Sequence, residues 1–180
     1  VTASLDEAYQ LLLQIPRWEN WAEPQGASTD SITSFQRRMA LVLPDVLFDW
    51  LRRCNGACAG PGGIFGLCPD NSFIDIEATL LLYPEWSAKG WIPIAGDGCG
   101  NYYLLLPDAS VCFFDTQCDP GNAMYVVASD LPHFWVSLFR RELGETGWPF
   151  DPSYVLAFDP QISKCTTAPM PWINDKSING

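Results

Sequence analysis

Several things this chain lacks narrow its class before any motif is read. No stretch approaches the roughly 18 uninterrupted apolar residues of a membrane helix. The acidic start also lacks the basic-then-apolar plan of a secretory signal, so the expectation is a soluble, cytoplasmic protein without membrane association. Positive charge is scarce: Lys and Arg number 10 against 21 Asp and Glu, for a formal net charge of -11 and a sequence pI of about 4.2. Such a chain repels bare nucleic acid and anionic membranes and favours a basic partner, although the same charge also serves plain solubility. There is one histidine, His133, so a Cys-His nucleophile pair would have to use it. Its place in the first turn of a helix, beside Phe134 and Trp135, reads as capping or packing.

The 7 cysteines, Cys54, Cys58, Cys68, Cys99, Cys112, Cys118 and Cys165, are odd in number, which argues against a disulfide framework without a secretion signal. Only Cys54 and Cys58 form a compact pair, and no second pair with that spacing follows. Buried free thiols are therefore expected, with no metal and no cofactor. The glycine-rich stretch around Gly60 to Gly63 lacks the Gly-Lys-Ser/Thr ending of a phosphate loop. The turn Gly96-Asp97-Gly98-Cys99-Gly100 leads into YYLLL rather than a helix, and Asp97 would repel an anion. No oxygen-ligand spacing suggests calcium. Asp151 and Asp159 give no sign of acting as paired carboxylates and read as solvated loop acids. There is no internal repeat.

What is present is one domain's worth of core, with 48% hydrophobic residues in 180. GWIPIAGDGCGNYYLLL, from Gly90 to Leu106, is two apolar runs joined by a glycine-rich turn, a β-hairpin whose continuous apolar runs suit strands in mid-sheet. Pro93 cannot donate to a ladder, so a bulge or an edge is expected there. An amphipathic helix is expected from Ser4 to Ile15, ending at Pro16. A second, capped by Thr29 or Asp30, carries Ile32, Phe35, Met39 and Val42. A third starts at Leu43-Pro44-Asp45 and stops at Asn55-Gly56. Trp18 and Trp21 read as one packed face of a turn. Ile64 to Leu67 reads as a short strand. Phe73 to Leu82, which Asp70-Asn71 can cap, fits a helix or an irregular strand and is taken as helix. SVCFF (Ser110 to Phe114) and Tyr125 to Ala128 read as strands, and Asp115 to Asn122 as a polar turn between them. Ser129-Asp130 caps a helix through Leu143 that Gly144 closes. The tail is broken by prolines, with a short strand allowed at Tyr154 to Phe158.

The order of helix, LPDVLFDWLRRCNG, glycine-rich loop, GWIPIAGDGCGNYYLL, VCFFD strand and YVVASDLPHFWVSLF helix resembles the SUKH superfamily, in its Smi/Knr-type branch, over residues 30 to 143. Phe158-Asp159-Pro160 and Pro171-Trp172 also look like a tail found in some members. The resemblance implies an α+β fold, a single domain with a curved, mainly antiparallel sheet wrapped by helices. It divides the chain into an N-terminal helix and loop (1–29), a core (30–143) and a proline-rich tail packed on it (144–180). Many bacterial members are thought to be immunity proteins that bind and neutralise toxins, often nucleases, and fungal relatives act as regulatory binding proteins. No catalytic residues come with the family.

The function expected is accordingly non-catalytic: an immunity protein neutralising a cognate, basic nuclease toxin. A regulatory protein-binding scaffold is the alternative, and a cysteine-dependent hydrolase is the enzyme-class rival. Acidic side chains on loops would meet a basic partner, which selects Asp70, Glu85, Asp97, Asp115 and Asp119. Trp86 joins them as an aromatic anchor, with a core position as its plainer reading.

Overall fold

The computed structural model describes residues 3–16, 24–116, 124–144 and 147–173. Trp18, Trp21, Cys118 and Asp119 lie outside the described residues.

Most of the helices start where the sequence offers a side-chain cap. Helix α1 (Leu5–Leu12) begins with Ser4 accepting from the Glu7 N–H and buries Ala8 and Leu12. Helix α2 (Thr29–Met39) is capped by Ser28, one residue before the expected Thr29, because Ser28 Oγ accepts the Ser31 N–H at 3.1 Å. It closes at Ala40, so Val42 lies past its end and is 85% exposed rather than sharing the face of Ile32 and Phe35. Helix α3 (Asp45–Arg53) follows Pro44 and buries Leu47, Trp50 and Leu51. Gly56 then takes a φ of 84°, a left-handed conformation that costs other residues about 1–2 kcal/mol.

The helix reading of the next apolar run holds. Asn71 caps a 3-10 turn at Ser72–Ile74, and Asp75 caps helix α4 (Ile76–Leu82). Helix α5 (Pro84–Lys89), with Pro84 in its first turn and Gly90 left-handed at its end, has no counterpart in the sequence expectations. The run Ile64 to Leu67 is not a strand but a set of single bridges. Ile64 pairs with both Ala57 and Ala95, and Gly66 with Asp75, while Asn55 clamps Leu67 through its N–H and C=O. Ile64 is shared between Ala57 and Ala95 and Gly66 turns to Asp75, so the run does not form one continuous ladder.

Strands β1 (Ile92–Gly96), β2 (Tyr102–Leu105), β3 (Val111–Phe114) and β4 (Met124–Ala128) make an antiparallel meander in that order. β1 is thus an edge strand rather than a mid-sheet one. It is buried throughout because the 63–66 segment runs along it, with Phe65 N–H donating to Ile94 O at 2.8 Å and Gly96 N–H to Gly63 O at 3.1 Å. The register slips between Pro93 and Ala95, the bulge that a proline demands.

Helix α6 (Leu131–Glu142) is capped by Asp130, and Gly144 follows it with a φ of 103°. The expected strand at Tyr154 to Phe158 is instead helix α7 (Pro152–Phe158). Asp151 accepts the Ser153 and Tyr154 N–H groups, Pro152 occupies the first turn, and Val155 and Phe158 face inward three apart. That is a cap, a helix-starting proline and a helical spacing, which together outweigh the β propensity of Tyr and Val.

Strand register sorts the side chains into two faces. Tyr102 and Phe114 point toward α5, where Trp86 meets each edge-on at 5.3 Å. Tyr103 points the other way, against Phe134 of α6 at 5.0 Å. Behind α6, Trp50 of α3 stacks on Trp135 at 5.0 Å, and Arg140 reaches Glu7 of α1 at 2.8 Å. The chain is one mixed α+β domain with helices on both faces of an open sheet.

Candidate functional site

On the α6 side of the sheet, Tyr103, Phe113 and Tyr125 are successive cross-strand neighbours and form an aromatic row. α6 covers one end of this row and then stops, because Gly144 closes it, leaving Arg141 in its last turn. The uncovered part is a cleft of about 290 Å³, completed by Val127, Pro61, Asp97, Pro149, Phe150 and Pro171. Its floor is rigid, since Tyr103 also packs on Trp148, whose indole N–H donates to Val127 O at 3.0 Å. Phe150, on the rim, is 71% exposed. Burial pushes the Tyr103 hydroxyl up to about 12, with nearby Arg141 opposing and Asp97 and Glu142 reinforcing the shift. At neutral pH that hydroxyl is a neutral hydrogen-bonding group, not a base. The arrangement suits holding an apolar group.

Asp97 has a structural task in the hairpin turn. Its Oδ1 accepts the Cys99 and Asn101 N–H groups at 2.7 and 3.0 Å, and Oδ2 accepts Asn101 Nδ2 at 2.8 Å. Asn101 in turn accepts the Thr116 N–H at 3.0 Å, joining this turn to the end of β3. Asp97 itself lines the cleft, and half-buried Asp115 follows the end of β3 that this turn is joined to. Asp70, exposed before the 3-10 turn, and Glu85, exposed at the start of α5, are not part of this group. Glu85 belongs to the helix on the opposite face. Trp86 is a core side chain, 1% exposed and stacked on Tyr83 at 4.2 Å. Its plainer reading is therefore the one observed, and its ring is not presented to a partner. Asp119 lies outside the described residues.

His133, Asp151 and Asp159, the histidine and carboxylates considered from the sequence, each have a structural partner. His133 is 8% exposed, bonded through Nδ1 to Asp130 at 2.8 Å and set against Phe158. Asp151 caps α7, and Asp159 is buried with its carboxylate on Ser129 rather than in solvent, correcting its reading as a loop acid. Burial pushes the Cys54 and Cys112 thiols up to about 12 and also raises Cys58, Cys68 and Cys165, which lowers the thiolate population a nucleophile requires.

Tyr103, Phe113, Tyr125, Arg141 and Phe150 were not singled out by sequence reasoning. The signal for the first three was period-2 alternation within YYLL, VCFF and MYVVA, masked because both faces of the strands are apolar. The hydroxyls of Tyr103 and Tyr125 were the available clue, since a tyrosine in a core strand places its polar tip where the core ends.

A comparison with curated proteins gave no match. The sequence model of the SMI1 / KNR4 family (SUKH-1) matches residues 26–136, a span that runs from the cap of α2 into α6 and contains the whole sheet and the cleft floor. The match takes in more than half of the chain, including Leu43-Pro44, Asn55-Gly56 and the glycine turn at Asp97, and on this ground the chain belongs to the SMI1 / KNR4 family (SUKH-1).

Proposed function

We propose that this chain is a non-catalytic immunity protein that binds and neutralises a cognate bacterial toxin, a basic nuclease domain, in the cytoplasm. Membership of the SMI1 / KNR4 family supports this reading, because many of its bacterial members are thought to be immunity proteins. The charge is consistent with it: at -11 the protein attracts a basic domain and accelerates encounter before short-range contacts decide specificity. Asp70, Glu85, Asp97, Asp115 and Asp119 are the acids proposed to contribute to that attraction. The commitment of His133 and the raised thiols agrees with a binder that does no chemistry.

The test is co-expression with the nuclease toxin domain encoded beside its gene. The expected result is a stable complex and survival of cells that the toxin alone kills. A chain that neither binds nor protects would end the immunity reading. The association rate should fall steeply with added salt, since the attraction is between net charges.

A further inference from the structure

We infer that the aromatic cleft is the anchor pocket of the partner interface, and that its occupant is one aromatic side chain of a basic protein, flanked by a Lys or Arg that faces Asp97. This rests on the reading of the chain as a binder of a basic protein.

Size limits the occupant first. At about 290 Å³ the cleft lies just below the roughly 300–1,000 Å³ of small-molecule and cofactor pockets, and it suits one or two side chains. Chemistry limits it next. The floor is the row Tyr103, Phe113 and Tyr125, and prolines 61, 149 and 171 form much of the wall, so an apolar ring is the complementary shape. The walls are already fixed by Trp148, Phe134 and the Asp97 turn, which lowers the ordering cost of binding. Phe150, 71% exposed at the rim, gains burial when a partner covers it. Such a rigid, aromatic, partly covered pocket is the usual setting of an interface hot spot.

Charge sets the flank. The chain carries -11 overall, and Asp97 of the hairpin turn lines the cleft. Arg141 stands at the C-terminal end of α6, where the helix dipole favours a cation, so the basic flank of the occupant belongs on the side away from it. Among the other exposed apolar side chains, the cluster Phe73, Leu81 and Leu82 lies at the 3-10 turn and α4, where Leu81 shares a shallow pocket with the Arg38–Glu77 ion pair that has no aromatic lining.

Two measurements on the whole chain test this. In the first, tryptamine and N-acetyltryptophan are titrated separately and followed by NMR. Tryptamine should shift the Tyr103, Tyr125 and Phe150 signals saturably, with a Kd on the order of a few millimolar for a ligand of its size. Phe150→Ser should abolish saturation, and N-acetyltryptophan, a carboxylate, should bind more weakly. No saturable shift, tighter binding of the carboxylate, or shifts centred on Leu81 and Leu82 would each overturn the inference. In the second, Phe150→Ala should weaken the complex with the toxin domain about 30-fold, while Leu82→Ser changes it less than about twofold. The reverse order would move the interface to α4. If the toxin does not bind while tryptamine does, the immunity reading fails and the pocket stands.

Discussion

Replacing Asp159 with alanine tests how the C-terminal segment is held to the core. Asp159 is 2% exposed, and its carboxylate accepts the Ser129 N–H at 2.7 Å and Ser129 Oγ at 2.6 Å. Ser129 immediately precedes Asp130, the cap of α6, so one carboxylate ties the end of α7 to the start of the central helix. Hydrogen bonds to a charged group contribute roughly 1.5–3 kcal/mol each. Removing the carboxylate also removes its own burial penalty, which places the net loss for Asp159→Ala at about 3–4 kcal/mol. In a protein of this length each kcal/mol lowers Tm by roughly 2–4 °C, so Tm should drop by about 10 °C. Asp159→Asn should cost only about 1–2 kcal/mol, because its oxygen still accepts the backbone N–H and its amide can donate to the serine hydroxyl. Ser129→Ala should cost about 1 kcal/mol, and the double variant with Asp159→Ala should fall short of the sum by about 1 kcal/mol, since the two share a bond. Urea unfolding followed by tryptophan fluorescence reads all four values. An Asp159→Ala loss below about 1 kcal/mol, or full additivity with Ser129→Ala, would refute the clasp.

Four further outcomes follow from the same geometry. Gly62→Ala places a Cβ 2.4 Å from Gly98 N and 2.5 Å from Gly96 C, backbone atoms that cannot step aside, so unfolding experiments should show a loss of about 3 kcal/mol or more. Gly100→Ala meets open space at a φ of 95° and should cost only about 1–2 kcal/mol. Trp86→Ala should lose about 3–5 kcal/mol by thermal or urea unfolding, as a core truncation does, whereas an exposed anchor would leave stability unchanged. Stability should also fall at acid pH. Burial alone would raise Asp130, but the His133 ring and N–H outweigh it and hold the carboxyl below its usual range; Asp108 is likewise depressed by Ser110 and Thr167, and Glu77 by the Arg38 hydrogen bond. Carboxyls depressed on folding contribute fully above their unfolded values near 4 and lose that contribution as pH drops through the folded ones. The urea midpoint should therefore fall between pH 5 and pH 2, and Asp130→Asn should flatten that slope.

Local signals were readable because they act through neighbouring residues. Ser4 and Asp130 cap the helices they precede, Pro93 marks the bulge, and Gly144 closes α6 as its sequence position suggested. The boundary errors have the same local origin: Ser28 competes with Thr29 and Asp30 for one cap, and Val42 keeps helical spacing beyond the residue where the helix ends. Tyr154 to Phe158 misled because Tyr and Val favour strands, while the Asp151-Pro152 start that decides for helix lies outside the apolar run. The cleft was not legible as one surface, although Asp97 in its lining was named from the sequence. Its lining comes from residues 61, 97, 103, 113, 125, 127, 141, 149, 150 and 171, and only the packing of α6 and the tail against the sheet turns them into one surface. Trp86 shows the converse: the indole that suggested an anchor, because interface hot spots favour Trp, is equally at home in the core, where it sits at the start of a short helix.

Recognition by such a fold has two physical routes, addition of a strand to a sheet edge or insertion of side chains into a surface pocket. The outer side of β1 is already bonded at Ile94 and Gly96 by the 63–66 segment. On the outer side of β4, Val126 N–H donates to Pro169 O at 3.0 Å, and the bulged Val127 gives its carbonyl to the Trp148 indole. An added strand would first have to displace these partners, losing bonds it could only replace one for one. Side-chain insertion meets no such competition at the cleft, where the aromatic row stands partly uncovered and its walls are preset. The tail that closes the β4 edge also supplies Pro171 to the cleft wall, so the element that blocks the first route helps to build the second. The two are therefore linked: loosening the tail at Asp159 should weaken anchor binding and, in the same variant, leave the β4 edge open to pairing with another chain, which light scattering at raised protein concentration would detect as association.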